Sequence, residues 1–278
     1  MDDGPTQSQV IVFPFDQFGS AGTGAGAQLL GDAVREILED TEQESRPCRS
    51  DCLRGAVTVR ESPFETMAQL QEWRRIGRRA ARKALKSKQF LIWLGGNHLS
   101  VLPVLEELGA ETLVIQFDAH LDIYGFHDTT AELSHGNFLK HFESPRPRLV
   151  NVGHRDVFLT SREIAATFED VFSTEEIAMS AGSVVEKLQG KAASARRVWI
   201  DIDCDVLDPA VMPAVPQPLP FGLNSLGLLQ LLNAVWSKKV MGLSLSEFDP
   251  GRDVRDAGLN LLGWLLESVL LKVGEDVK

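Results

Sequence analysis

Cysteine is scarce: Cys48, Cys52 and Cys204 are the only three among 278 residues. A count so small and odd excludes a disulfide framework and points to free thiols in a reducing compartment. Cys48 and Cys52 lie in PCRSDC, a polar linker with no second Cys/His pair nearby, so a zinc site is not expected there. Positive charge is also short, since 28 Lys and Arg against 39 Asp and Glu leave a net charge of −11. That balance argues against nucleic acid as a partner. A basic, apolar leader is missing from MDDGPTQSQV, so a cytoplasmic location is expected. One long uncharged run could be mistaken for a membrane span. The uncharged stretch 209–237 is broken by Pro213, Pro216, Pro218 and Pro220 and interrupted by Asn224, Gln230 and Asn233. It reads as a proline-rich loop followed by a helix with one buried face, and no membrane partner is expected.

What the chain does contain is carboxylate at the ends of apolar runs. In TLVIQFDAHLD, Asp118, His120 and Asp122 alternate after a β-branched stretch, so an extended backbone points all three to one side. The segment VWIDIDCDVLDP repeats the device with Asp201, Asp203 and Asp205. Carboxylates this concentrated repel one another unless cations or protons neutralise them, and two divalent ions are expected. Asp201 lies one step deeper than Asp203 and reads as a support to the ligands. Asp208 precedes Pro209 and reads as a turn residue. A calcium loop is excluded because Val206 stands where an EF-hand needs Gly and a strand precedes the acids. The Gly-rich FGSAGTGAGAQLLG lacks the Lys-Ser/Thr ending of a phosphate loop and reads instead as backbone packed closely beneath a site.

Taken in order, the pattern alternates strands with helices. Strands are expected at 9–14, in QFLIWLGGNHLS before its glycine turn, at Leu113–Phe117, in RLVNVGHRD ending near His154, Arg155 and Asp156, in DVFS, in VWI, and in KVMGLSLSEFDP ending at Glu247 and Asp249. One helix is expected over 65–88 with a stripe of Met67, Leu70, Trp73 and Ile76 and a solvated basic face, another over VLPVLEEL, and an apolar-faced one at GLNLLGWLLESVLLKV. The expectation is a single α/β domain over 1–278, a three-layer α/β/α fold with a mainly parallel central sheet. His98, Asp118, Asp156, Asp203 and Glu247 all then fall at strand C-terminal ends, where such sheets gather ligands.

GGNH at 95–98, DAHLD at 118–122, His135-Gly136, GHRDV at 153–157, DCDVLDP at 203–209 and Glu247 occur in this order along most of the chain. Together they resemble the ureohydrolases, the arginase, agmatinase and formimidoylglutamase family. The resemblance implies an arginase-like fold and a two-manganese centre held by His98, Asp118, His120, Asp122, Asp203 and Asp205, with Asp118 and Asp203 bridging. Oxygen and imidazole donors without thiolate suit manganese better than a soft metal, and the ligand list leaves cobalt, nickel, zinc and iron open. The resemblance further implies that a hydroxide between the ions attacks a guanidine or amidine carbon, His135 shuttles a proton, and Glu247 accepts hydrogen bonds from the guanidinium. Tyr124 and Asp156 are expected beside the substrate. Relatives assemble as trimers or hexamers, so a homo-oligomer is expected.

Where arginase-like members read an α-carboxylate with polar residues, this chain has Tyr124 and Ala131-Glu132-Leu133. Free arginine is therefore not the expected substrate. Asp128 and Glu132, if they face the cleft, favour a guanidino-amine resembling agmatine, with urea as product. His127 and His154 are candidates for the cavity rim. Formimidoylglutamase activity, for which Arg155 could supply a cation, and arginase activity are alternatives. A non-catalytic metal-binding homologue is a third, although its expected signature, lost ligands, is absent. No adjacent His-His pair supports a deacetylase-like site.

Overall fold

The computed structural model describes residues 7–125, 131–143 and 145–275. Eight strands form one sheet: β1 Ser8–Phe13, β2 Val57–Glu61, β3 Phe90–Gly95, β4 Thr112–Phe117, β5 Arg148–His154, β6 Asp170–Ser173, β7 Arg197–Asp203 and β8 Val240–Ser246. Their order is β2-β1-β3-β8-β7-β4-β5-β6, and every pairing is parallel. The helices are α1 Thr23–Gln43, α2 Met67–Gln71, α3 Trp73–Lys86, α4 Leu102–Leu105, α5 Ser161–Ala165, α6 Thr174–Ser194, α7 Ser225–Val235 and α8 Ala257–Glu275.

Strand side chains alternate between two cores, as a two-residue period requires. Val10, Val12, Ile92, Leu94, Ile115 and Ile200 pack with α1, α6, α7 and α8 on one face. Ile11, Phe13, Leu91, Trp93, Val114 and Trp199 pack with α3 and α4 on the other. The expected three layers are present, and the sheet is wholly rather than mainly parallel. Burial on both faces explains why its strands read as near-continuous apolar runs. α8 is long and apolar enough to cross a membrane by length and composition, and 44% of its apolar window is buried within the protein.

Several boundaries differ from the sequence reading. The first strand ends at Phe13, before Pro14, which has no N–H to continue the ladder. β2 went unread: VTVRE is a half-exposed edge strand with no apolar run to mark it. The helix expected over 65–88 is two, because Thr66 and Gln69 close a capping box on a single turn and Glu72 leaves helical geometry at φ −96° and ψ 12°. The basic face of α3 is not simply solvated, since Arg74 holds the buried Glu106 at 2.6 and 3.1 Å. VLPVLEEL supplies only the short α4, entered from a 3₁₀ turn at His98–Val101.

Candidate metal centre and substrate pocket

The central strands β3, β8, β7 and β4 are neighbours in the sheet, and their C-terminal ends carry His98, Glu247, Asp203 and Asp118. The turn after β3 is tight: a Cβ on Gly96 would stand 2.2 Å from the Phe15 carbonyl oxygen, and one on Gly95 2.1 Å from Ser100 Oγ. Glycine there lets the backbone close against β1 and turn His98 inward, leaving it 1% exposed. Its Nδ1 then faces Asp122 Oδ2 at 2.8 Å, Asp203 Oδ2 at 3.2 Å and Asp118 Oδ2 at 3.3 Å.

His120 lies across from it, with Nδ1 2.8 Å from Asp205 Oδ2 and 3.9 Å from Asp118 Oδ1. The local backbone fixes these acids. Asp118 accepts the His120 N–H at 2.6 Å, Asp203 accepts that of Asp205 at 2.9 Å, and Asp205 accepts that of Ala119 at 3.1 Å. Two groups result, His98–Asp118–Asp203 and Asp118–His120–Asp205, each with potential ligand atoms within 4.8 Å of one another. Asp118 is common to both. Asp203 belongs to the first, and Asp122 approaches that group through His98.

The donor set fits divalent cations. His98 Nδ1 and Asp118 Oδ2 are buried without an aligned hydrogen-bond partner, although charged groups crowd them. Burial, then repulsion from Asp122 and Asp205, pushes the Asp118 carboxyl up to about 7. Asp203 is driven well above the usual range by burial and by Asp205. Asp205 is also penalised by burial, but attraction to His120 outweighs that and holds it low. Burial opposes charge on His120, yet Asp205 and its neighbours raise it to about 10. Without a cation the cluster neutralises itself with protons, and bound cations would replace them. Cys204, between two of the acids, is buried in the apolar core with its thiol pushed up by that burial. It remains a neutral thiol.

Glu247 sits beyond the first group with φ +64°, a left-handed backbone unusual for a non-glycine residue. Its N–H is held by the Gly96 carbonyl at 2.8 Å and its Oε1 accepts the His98 N–H at 2.9 Å. Oε2 is buried without a partner. Strain held in place at an acceptor-bearing residue is typical of ligand clamps.

His135 approaches the same Oε1 through Nδ1 at 3.2 Å, with Ser20 Oγ 3.4 Å from Nδ1 and Gln217 Nε2 3.4 Å from its Nε2. Its N–H is held by the Phe18 carbonyl at 3.2 Å, and a Cβ on Gly19 would overlap its ring at 2.5 Å. Burial lowers its pKa, but the hydrogen bond and charge of Glu247 leave it raised.

Tyr124, the chain's only tyrosine, walls the pocket. Its oxygen accepts the Leu121 N–H at 3.2 Å and its ring stands edge-on to His120. Burial pushes its phenol above the usual value, so it stays protonated. The pocket, a cavity of about 40 Å³, is lined by His98, His120, Asp122, Tyr124, His135, Gly136, Asp203, Asp205, Gln217 and Glu247. Asp118 lies beneath it, fully buried.

The remaining candidates do not line this pocket, although the charge of Asp156 reaches Tyr124 in its wall. Asp156 Oδ1 accepts the Phe158 and Leu159 N–H groups at 3.0 and 2.7 Å, and the residue lines a neighbouring groove with His154 and Arg155. The Arg155 guanidinium donates to the carbonyls of Gly153, Val206, Asp205 and Leu219 at 2.6–3.2 Å. It acts as a staple behind the metal turn. Glu132 is exposed, while His127 and Asp128 lie outside the described residues. Asp208 takes the N–H groups of Ala210 and Gly222, the turn role expected of it. Asn97 donates to the Gln17 carbonyl at 2.9 Å and so anchors the loop after β1. Gln116, Ser244, Ser20 and Gln217 were not read from sequence. Gln116 alone carried a signal, a lone polar residue inside an apolar strand.

An arginase-family model matches residues 7–271. N(1)-aminopropylagmatine ureohydrolase from Thermus thermophilus is 29% identical over 188 residues, which span 65% of this chain and 62% of that protein. The arginase of Bacillus subtilis superposes with a TM-score of 0.78 at 19% identity, covering 95% of this chain and 98% of that one. The formimidoylglutamase of Bacillus subtilis does so with a TM-score of 0.78 at 18% identity, covering 100% and 90%.

Proposed function

The chain belongs to the arginase family, and from that premise we propose that it is a binuclear-metal hydrolase of guanidino compounds lacking an α-carboxylate, releasing urea. The observation that carries this reading is the pocket's charge. Asp122, Asp203 and Asp205 would be balanced by the ions they hold, which leaves Glu247 as the free carboxylate of the lining, and no Lys or Arg lines it among the described residues. A guanidinium head is complementary to such a pocket; a substrate carboxylate would find no cation. Arg155, the candidate for a formimidoylglutamate carboxylate, is already committed to four backbone carbonyls.

His98, Asp118, His120, Asp122, Asp203 and Asp205 would hold two divalent ions, with manganese as the proposed metal and the donor set of oxygen and imidazole consistent with it. When bound, such a pair supplies Lewis acidity and lowers the pKa of water toward neutral. Glu247 uses Oε1 for His98, which leaves Oε2 for two guanidinium N–H groups or one bifurcated contact. That contact would orient the head over the acids. His135, beside Glu247 and outside both ligand groups, would hold a proton at the leaving nitrogen. Tyr124 walls the pocket and, with its phenol kept protonated, supplies no cation for a carboxylate. Aminopropylagmatine, the substrate in the name of the Thermus relative, is a guanidino-amine of this class.

The experiment is a comparison of urea and ammonia release from arginine, agmatine and N-formimidoylglutamate by one manganese-loaded preparation. Urea from agmatine is expected, with kcat/KM about a hundredfold or more above that for arginine, the effect of leaving a buried carboxylate unpaired. A preference for arginine, or ammonia release from the formimino compound alone, would overturn the reading.

A further inference from the structure

The two imidazoles of the cluster are backed differently. His120 presents Nδ1 to Asp205, and its other ring nitrogen has no hydrogen-bond partner among the described residues. His98 presents Nδ1 to three carboxylates, while its Nε2 lies 3.0 Å from Oδ2 of a fourth, Asp201. Asp201 is wholly buried.

Asp201 lies in a polar row built by strand register. Gln116 of β4 is its Cα partner on one side and Ser244 of β8 on the other. Gln116 Nε2 donates to Oδ2 at 3.2 Å, Ser244 Oγ donates to Oδ1 at 2.5 Å, and Trp199 Nε1 donates to Ser244 Oγ at 2.9 Å. A buried carboxylate in an otherwise apolar sheet costs several kcal/mol unless its acceptors are filled. Here the sheet fills them from two flanking strands and leaves one direction toward His98.

Histidines that bind metals commonly donate their other N–H to a carboxylate, which fixes tautomer and ring orientation. We infer that Asp201 is a positioning residue: by accepting the Nε2–H of His98 it directs the Nδ1 lone pair toward Asp118, Asp122 and Asp203, and so strengthens selectively the ion held by the His98 group. This rests on the two-ion reading given above. It also explains why the support of His98 does not depend on Asn97, whose amide is turned to the Gln17 carbonyl.

Manganese titration calorimetry on the metal-stripped full chain tests it, with thermal melting of the metal-free protein as the control for folding. Wild type should bind two ions. Asp201→Ala should weaken one of them by about 10- to 100-fold and leave the other unchanged. Asp201→Asn, which keeps one acceptor oxygen, should recover part of that loss. Adding Asp201→Ala to His98→Asn should weaken binding no further, because the two changes remove one interaction. Should Asp201→Ala not fold, Ser244→Ala is expected to weaken the same ion by a smaller factor. Equal weakening of both ions, no weakening of either, or additivity with His98→Asn overturns the role of Asp201. A wild-type stoichiometry of one or less overturns the two-ion reading and this inference together.

Discussion

His135 shows how much of a residue's chemistry is set by its neighbours. Both ring nitrogens are held, Nδ1 near Glu247 and Ser20 and Nε2 near Gln217, while the ring stays outside the two ligand groups. Removing it should therefore cost proton transfer and not metal. His135→Asn is expected to lower turnover by about two orders of magnitude with metal content, read by elemental analysis, unchanged. Loss of metal along with activity would make His135 a structural or ligating residue instead. The motif that singles out this histidine was legible in the sequence. Its clamps were not, because Ser20 and Gln217 stand 115 and 82 residues away and neither has a pattern of its own.

At the scale of elements, the glycine-rich segment after β1 acts through close packing, as its composition suggested. Gly26, inside α1, is the clearest case: a Cβ there would fall 1.9 Å from the carbonyl oxygen of Phe248, the residue after Glu247. Gly26→Ala gains about 1 kcal/mol of helix propensity. Overpacking against rigid backbone costs about 1–3 kcal/mol and more in severe cases, so the clash wins. The variant is expected to unfold at lower urea concentration, with a net loss of about 2 kcal/mol, and to show a raised KM because the turn carrying Glu247 must shift. Wild-type stability would show that α1 can move away freely. The glycines were visible in sequence, but which backbone they approach depended on where α1 docks.

For the whole molecule, the buried acid and histidine cluster couples folding to pH and metal. Asp118 rises to about 7 and His120 to about 10 in the metal-free protein, against about 3.9 and 6.5 in an unfolded chain. Between the unfolded and folded values the native state holds more protons, so stability falls as pH rises through about 4 to 7 for Asp118 and 6.5 to 10 for His120. Melting in the presence of chelator should therefore move to lower temperature between pH 6 and pH 8.5. Metal reverses the penalty, since it binds deprotonated ligands and only the folded state assembles them. The rise in Tm on adding manganese should be larger at pH 8.5 than at pH 6. A metal-free Tm that increases over this range would show that the acids are not driven up by one another. By itself the sequence determined the alternation of apolar runs with helices, the acids at the ends of two strands and the family resemblance, because strand period and ligand spacing are local properties. Only the tertiary structure decided that His98, Glu247, Asp203 and Asp118 meet. The chain lays β4 three places away from β3 and later inserts β7 and β8 between them, a choice made by packing both sheet faces and written in no single segment. The same insertion aligned Gln116, Asp201 and Ser244 behind the site and spent Arg155 on backbone carbonyls, since register and loop docking depend on contacts between residues far apart in the chain.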